Sequence, residues 1–202
     1  MGLEALDPYG VLKGVIELFV VVDPIGNVPA LLAVTSELRP RDRVRVVHRA
    51  VAFAAVLILG FAVAGKATLD YLGISVEALM IAGGILLLRA AFGMVEGDPT
   101  GFRIEPGSHI DVAYVPLGTP LLAGPGAIVT VIVMLHRHGR LETILACLIV
   151  MLLTLVTFRA AERLARFLGR SGIRVLTRVM GVLLAAIGVQ MVLDGVSAFV
   201  RG

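Results

Sequence analysis

The chain has 202 residues, of which 58% are apolar and 16% charged, and its mean hydropathy of +0.96 lies far above that of a soluble globular domain. The formal net charge is +3, yet the chain has only three Tyr and no Trp, and with no soluble surface to carry a basic patch a nucleic-acid reader is excluded. Composition makes this an integral membrane protein with no room for a separate soluble domain.

Spanning a bilayer takes roughly 20 mostly apolar residues per helix, and six windows qualify: about Leu12 to Val34, Val46 to Gly65, Ile74 to Val95, Val112 to Leu135, Leu141 to Phe158 and Val179 to Val200. Before the first window the chain carries Glu4 and Asp7 but no Lys or Arg, and no small-residue cleavage site follows, so the first helix is expected to be retained.

Within the first window, Val20 to Val34 reads VVVDPIGNVPALLAV. Pro24 and Pro29 lack a backbone donor and disfavour helical geometry in the residue before them, and Gly26 adds conformational freedom, so the helix is predicted to break here. Asp23 in mid-membrane costs on the order of 2.5–3.5 kcal/mol on insertion scales, which marks it as interior and functional, or as a cap of the following half-helix. Glu17 is expected at the outer interface. In the third window Arg89 either snorkels to the interface or pairs with an interior acid such as Asp23. The connection from Glu96 to Asp111 is rich in Gly, Pro and acids and shows no periodicity.

The fourth window repeats the first in kind: PIGNVPALLA at Pro24 and PLGTPLLAGPG at Pro116 both place Pro, Gly and a small polar residue near mid-membrane. Pro116, Gly118, Pro120, Gly124, Pro125 and Gly126 predict a second break. The fifth window holds Cys147, the chain's one cysteine, which rules out an internal disulfide and is expected to be buried and inert. The sixth matches the third at a constant offset, GGILLLRAAFGMVEG from Gly83 against GVLLAAIGVQMVLDG from Gly181. Gly83, Gly84, Gly181 and Gly188 are expected to permit close helix approach, while Thr119, Thr130, Thr154, Thr157 and Gln190 bridge helices or line a cavity.

Three windows per half is an odd number, so the halves enter the membrane from opposite sides, as in the inverted repeats of secondary transporters. Residues 10–97 form the first repeat, 98–111 the linker and 112–200 the second. Arg39, Arg41, Arg43, Arg45 and Arg49, then Arg103, then Arg159, Arg163, Arg166, Arg170, Arg174 and Arg178 place twelve cations on one side. The other side holds Lys13, Lys66, Arg137, Arg140 and Arg201. The positive-inside rule makes the richer side cytoplasmic and both termini external.

In hydrocarbon a freed N–H or C=O costs several kcal/mol, so broken backbone at depth is buried in protein or lines a wet cavity. Half-helix ends there offer orphan donors and acceptors at one spot, which suits a zwitterion. No HExxH, GxSxG, Cys–His pair or Walker A loop is present; His48, His109, His136 and His138 sit at span ends or in connections, and His136 and His138, two apart, do not share a helical face, so neither enzyme nor metal site is expected and no cofactor is implied.

DPIGNVP at Asp23 to Pro29, PLLAGPGAI at Pro120 to Ile128, AGGILLL at Ala82 to Leu88 and RVMGVLLAAIGVQM at Arg178 to Met191 resemble the MarC family of inner-membrane proteins, also described as neutral amino acid transporters. The resemblance covers both halves and implies six spans and ion-coupled transport of small neutral amino acids such as glycine and alanine. It carries over Asp23, Pro24, Gly26, Asn27 and Pro29 in the first motif and Pro120, Gly124, Pro125 and Gly126 in the second. The chain departs from the family pattern in carrying Gly118 and Thr119 before Pro120, where the family pattern is apolar.

The expectation is therefore an all-α inner-membrane protein of six transmembrane helices in two inverted repeats, with its first and fourth spans broken. Substrate would bind at Asp23, Pro24, Gly26, Asn27, Pro29, Gly118, Thr119, Pro120, Gly124, Pro125 and Gly126, with Asp23 and Arg89 as candidates for coupling to a proton or sodium ion. A channel-like or export pathway for another polar solute or drug is the competing reading, and the chain can assemble as an oligomer.

Overall fold

A computed structural model describes residues 7–36, 38–96 and 113–201. The predicted linker at 98–111, with Arg103 and His109, lies outside the described residues, as does Glu4. All described regular structure is helical: α1 (Pro8–Val22), α2 (Val28–Val34), α3 (Pro40–Leu72), α4 (Val76–Glu96), a π-helical segment (Ala113–Leu122), α5 (Pro125–His138), α6 (Arg140–Arg159) and α7 (Ala161–Arg201).

Four stretches are long and apolar enough to cross a membrane: Pro40–Gly65, Val76–Glu96, Arg140–Arg159 and Ser171–Arg201. They answer to the second, third, fifth and sixth windows. The first and fourth windows are each divided, one between α1 and α2 and the other between the π-helical segment and α5.

The arginine-rich stretches read from sequence as connections are helical. Arg41 to Arg49 belong to α3, and Arg163 to Arg178 to α7. Arginine is a good helix former, and Ala161, Leu164 and Ala165 give the start of α7 an apolar side that packs on the core while Arg163 and Arg166 stay exposed. Gly169, at φ 63 and ψ 176, interrupts that helix before its apolar part begins.

Buried apolar side chains form two clusters. The larger joins α1, α2, α3, the π-helical segment and α6 through Leu18, Leu31, Ile58, Leu117 and Cys147. The smaller joins α4 to α7 through Met80, Leu87, Leu184 and Met191. α5 belongs to both, giving Ala127, Val131 and Met134 to the first and Val129 and Val133 to the second. A helix apolar all round is a buried one, and α5 is the central element.

α4 and α7 pack antiparallel at backbone contact. A Cβ added at Gly188 would stand 2.8 Å from the Gly84 carbonyl oxygen, one at Gly181 3.2 Å from that of Ala91, and one at Gly195 2.9 Å from that of Glu77. Lipid supplies no hydrophobic drive between helices, so association depends on such close packing. Of the glycines singled out in sequence, Gly84, Gly181 and Gly188 serve this contact, whereas Gly83 packs against Val129 of α5. At one end of the bundle Arg43 of α3 pairs with Glu162 of α7 and donates to the Thr35 carbonyl. At the other, Arg137 of α5 pairs with Asp194 of α7 at 2.6 Å, and Gln190 donates to the same carboxylate. Glu17 lies in the field of Arg137, His138 and Asp194.

Candidate functional site

α1 stops at Asp23, which takes the left-handed conformation (φ 44, ψ 61) and closes the helix by donating its N–H to the Phe19 carbonyl. It is the one non-glycine residue with positive φ among the described residues, and aspartate is one of the few side chains that visit this region routinely. The chain then turns. Asp23 Oδ1 accepts the Gly26 N–H at 3.0 Å, the Asp23 carbonyl accepts the Asn27 N–H at 3.1 Å, and Asn27 Nδ2 donates to the Val22 carbonyl at 2.9 Å.

Asp23 therefore caps the turn itself, not the first turn of α2 as an N-cap would. Gly26 is required there, because a Cβ would run into the Asp23 carboxylate. Asp23 and Pro24 are buried and Pro29 opens α2 half-buried. Two carbonyls at the end of α1 stay open: Pro24 has no N–H to give Val20, and the Val21 carbonyl receives no hydrogen bond among the described residues.

The second break is narrower than its Pro-Gly content predicts. Pro116, Gly118, Thr119 and Pro120 lie within the π-helical segment, wound with a bond from the Ala123 N–H to the Gly118 carbonyl at 2.9 Å. Pro116 falls in the first turn, where an N–H has no intrahelical partner to lose. Pro120 removes one donor, and the wider winding is the form the chain takes around it; such windings recur at functional sites. Gly118 packs against Phe53 of α3, where a Cβ would come within 2.7 Å of the ring.

The break proper is Ala123 and Gly124. Gly124 is the N-cap of α5, extended at φ −75 and ψ 167, and no side chain caps the helix. Pro125 contributes no N–H, Ile128 bonds back to the Gly124 carbonyl, and the Gly126 and Ala127 N–H groups find no acceptor among the described residues.

These two ends meet. A Cβ at Gly126 would collide with Leu87 of α4 and stand 3.8 Å from Val21 of α1. The bare N-terminus of α5, with its partial positive charge, thus adjoins the C-terminus of α1, where open carbonyls carry the opposite partial charge. The two breaks meet through Val21, two residues before Asp23, against Gly126, which follows Gly124 and Pro125, whereas Gly118 packs against Phe53 of α3. Arg89 stands apart. It is exposed on α4, two residues from Leu87 and so on the far side of the helix from Gly126, and no ion pair joins it to Asp23 among the described residues.

Sequence reasoning did not single out the Val20 and Val21 carbonyls or the Gly126 and Ala127 amides. Backbone groups leave no side-chain signature; the prolines beside them are the signal that points there.

Over residues 10–200 the sequence matches the profile of the MarC family integral membrane proteins. The chain belongs to the MarC family. Among its relatives, the UPF0056 membrane protein of Methanocaldococcus jannaschii is 38% identical over 188 residues, covering 89% of this chain and 92% of that protein. Those of Pyrococcus abyssi (35% over 196 residues, 96% of each chain) and Aquifex aeolicus (32% over 209 residues, 97% of each) align over nearly the whole length. No solved structure matches the chain significantly. This MarC chain is a multi-pass membrane protein, and the two segments its sequence breaks with proline and glycine lie side by side in the fold.

Proposed function

We propose that this MarC protein is a secondary transporter of small neutral amino acids of the glycine and alanine class, working by alternating access and coupled to a proton or sodium gradient. The observation that carries the reading is the junction of the two broken helices, where open carbonyls of α1 adjoin free N–H groups of α5. In a membrane interior such groups are left without partners only at real cost, and together they complement a zwitterion: N–H groups for the carboxylate, carbonyls for the ammonium. Asp23 fixes the ammonium or carries the coupling proton through the carboxylate oxygen that does not hold the turn, and Asn27 frames the site beside it.

The architecture is six spans in two inverted three-helix repeats, 10–97 and 112–200, with both termini outside the cell inner membrane. Neighbour relations support it: α4 packs on α7 and α3 on α6, while α1 with α6 has its counterpart in the π-helical segment with α3, and α4 with α5 in α7 with α2. The two separate apolar clusters support rocking of α4 and α7 against the remainder, with α5 between them.

Purified protein in lipid vesicles should accumulate labelled glycine or alanine in a saturable manner and show counterflow, with Asp23→Asn reducing flux at least tenfold. Flux without saturation or counterflow would instead mark a channel-like path. Unchanged flux in both Asp23→Asn and Asn27→Ala would remove both residues from the mechanism.

A further inference from the structure

The last two spans belong to different parts of the bundle: α6 lies in the larger apolar cluster, and α7 from Met180 onward lies in the smaller one against α4. Arg140 at the start of α6 donates to the Val63 carbonyl late in α3, while Arg43 early in α3 pairs with Glu162 just past the end of α6. So α6 runs antiparallel to α3 and finishes, at Arg159, on the arginine-rich end of the bundle. The final apolar stretch, Ser171–Arg201, has 31 residues and a length of about 46 Å, more than enough to cross the hydrocarbon. Residues 160–170 are therefore not needed for spanning. They form a strap that carries the chain across the charged end from one cluster to the other.

Both limits of the strap are fixed by backbone geometry. Ala160 (φ −88, ψ 1) closes α6, and Gly169 (φ 63, ψ 176) interrupts α7. The Gly169 conformation is open to glycine almost alone, and a Cβ there would meet nothing within 4 Å, so conformation and not a close neighbour calls for glycine. Between these limits the helix has two unlike sides. Ala161, Leu164 and Ala165 pack on the larger cluster. Arg163, Arg166 and Phe167 share the opposite side and are exposed, Phe167 to 88%.

A solvated charged face accounts for the arginines but not for the ring, which in water forgoes about 1.5–3 kcal/mol of burial. The guanidinium groups also lack partners. Glu162 is paired with Arg43, and Asp42 with Arg39 and Arg45; Arg163 joins no ion pair among the described residues, and Arg166 gives only its Nε proton, to the Glu162 carbonyl at 3.3 Å. Cations beside an aromatic ring, at the level where two spans end, match the layering of a membrane surface, with phosphates outermost and the acyl boundary beneath.

We propose that the exposed side of the 161–168 strap is a docking surface for anionic phospholipid of the adjacent leaflet, with Arg163 and Arg166 on lipid phosphates and the Phe167 ring at the acyl boundary. This docking needs no transport activity. It would anchor the joint between the two apolar clusters to the membrane surface.

The test is native mass spectrometry of the purified protein in detergent, titrated with phosphatidylglycerol or with phosphatidylcholine. Wild type should bind phosphatidylglycerol at least tenfold more tightly, and added salt should weaken that preference. Loss of each arginine should weaken phosphatidylglycerol binding roughly fivefold, so Arg163→Gln with Arg166→Gln should remove most of the preference. Arg163→Lys with Arg166→Lys should keep it within a few-fold, and Phe167→Ser should weaken both lipids alike. Arg41→Gln with Arg49→Gln removes the same charge from α3 at the same end and should change binding less than twofold.

No preference for phosphatidylglycerol in wild type, wild-type binding in the Arg163→Gln, Arg166→Gln protein, or an equal loss in the Arg41→Gln, Arg49→Gln protein would overturn the assignment. The last result would mean that diffuse charge, not the strap, attracts the lipid.

Discussion

At the first break, Asp23 and Asn27 bind the turn back onto itself, the carboxylate taking the Gly26 N–H and the amide satisfying the Val22 carbonyl. At the second, Gly124 brings no side chain to the start of α5 and the first-turn amides stay open. Both breaks arise from prolines and glycines in an apolar run, so the difference between them lies in the polar side chains. Asp and Asn give the first break internal partners, and the start of α5 has no such side-chain cap. Under the proposed carrier reading, the self-bonded first break would supply rigidity and the uncapped second break most of the free hydrogen-bonding capacity.

Substitutions at the two breaks should therefore act differently. The largest effect is expected at Gly26→Val, whose side chain collides with the buried Asp23 carboxylate and must drive it off the Gly26 N–H; at the ~3 kcal/mol upper end of overpacking costs, it should sharply reduce the folded, monodisperse peak on size exclusion in detergent. Asp23→Ala leaves the buried Gly26 N–H without an acceptor and should lower stability by about 1–3 kcal/mol, read as a lower midpoint in thermal unfolding. Asp23→Asn keeps an acceptor oxygen and should retain most of that stability while losing uptake, which separates capping from transport. Asn27→Ala, which frees the Val22 carbonyl, should cost about 1 kcal/mol.

At the second break the expected sign reverses. Gly124 is in extended geometry that any residue adopts, so Gly124→Ser should add the missing cap and gain a few tenths of a kcal/mol. Its hydroxyl would also compete for the amides offered to substrate. A variant that melts slightly higher and transports less would sharpen the contrast. One that transports as wild type would mean that the α5 amides hold no passenger.

Most of the helical pattern was legible in sequence. Four apolar windows became unbroken membrane-length stretches, and the two windows interrupted by proline are interrupted in the fold. The arginine-rich segments were misread as connections because charge was weighed above helix propensity, although Ala161, Leu164 and Ala165 already carried a helical stripe. Pro116, Gly118 and Pro120 were read as part of the second break, whereas a wider winding takes them in and confines the break to Ala123 and Gly124. The pairing offered for Arg89 required knowing which way one face of α4 points, and the position of Leu87 against Gly126 decides that.

The sequence by itself determined that the chain lives in a bilayer, that its first and fourth windows are interrupted, and that Asp23, Gly26 and Gly124 stand at the interruptions. These follow from hydropathy, from the missing proline N–H and from the freedom of glycine, all local properties of the chain. Only tertiary structure decided that the end of α1 meets the start of α5 and that Asp23 spends one carboxylate oxygen on its own turn. Each depends on which backbone groups find partners, and in an apolar medium that accounting closes only once the helices are packed.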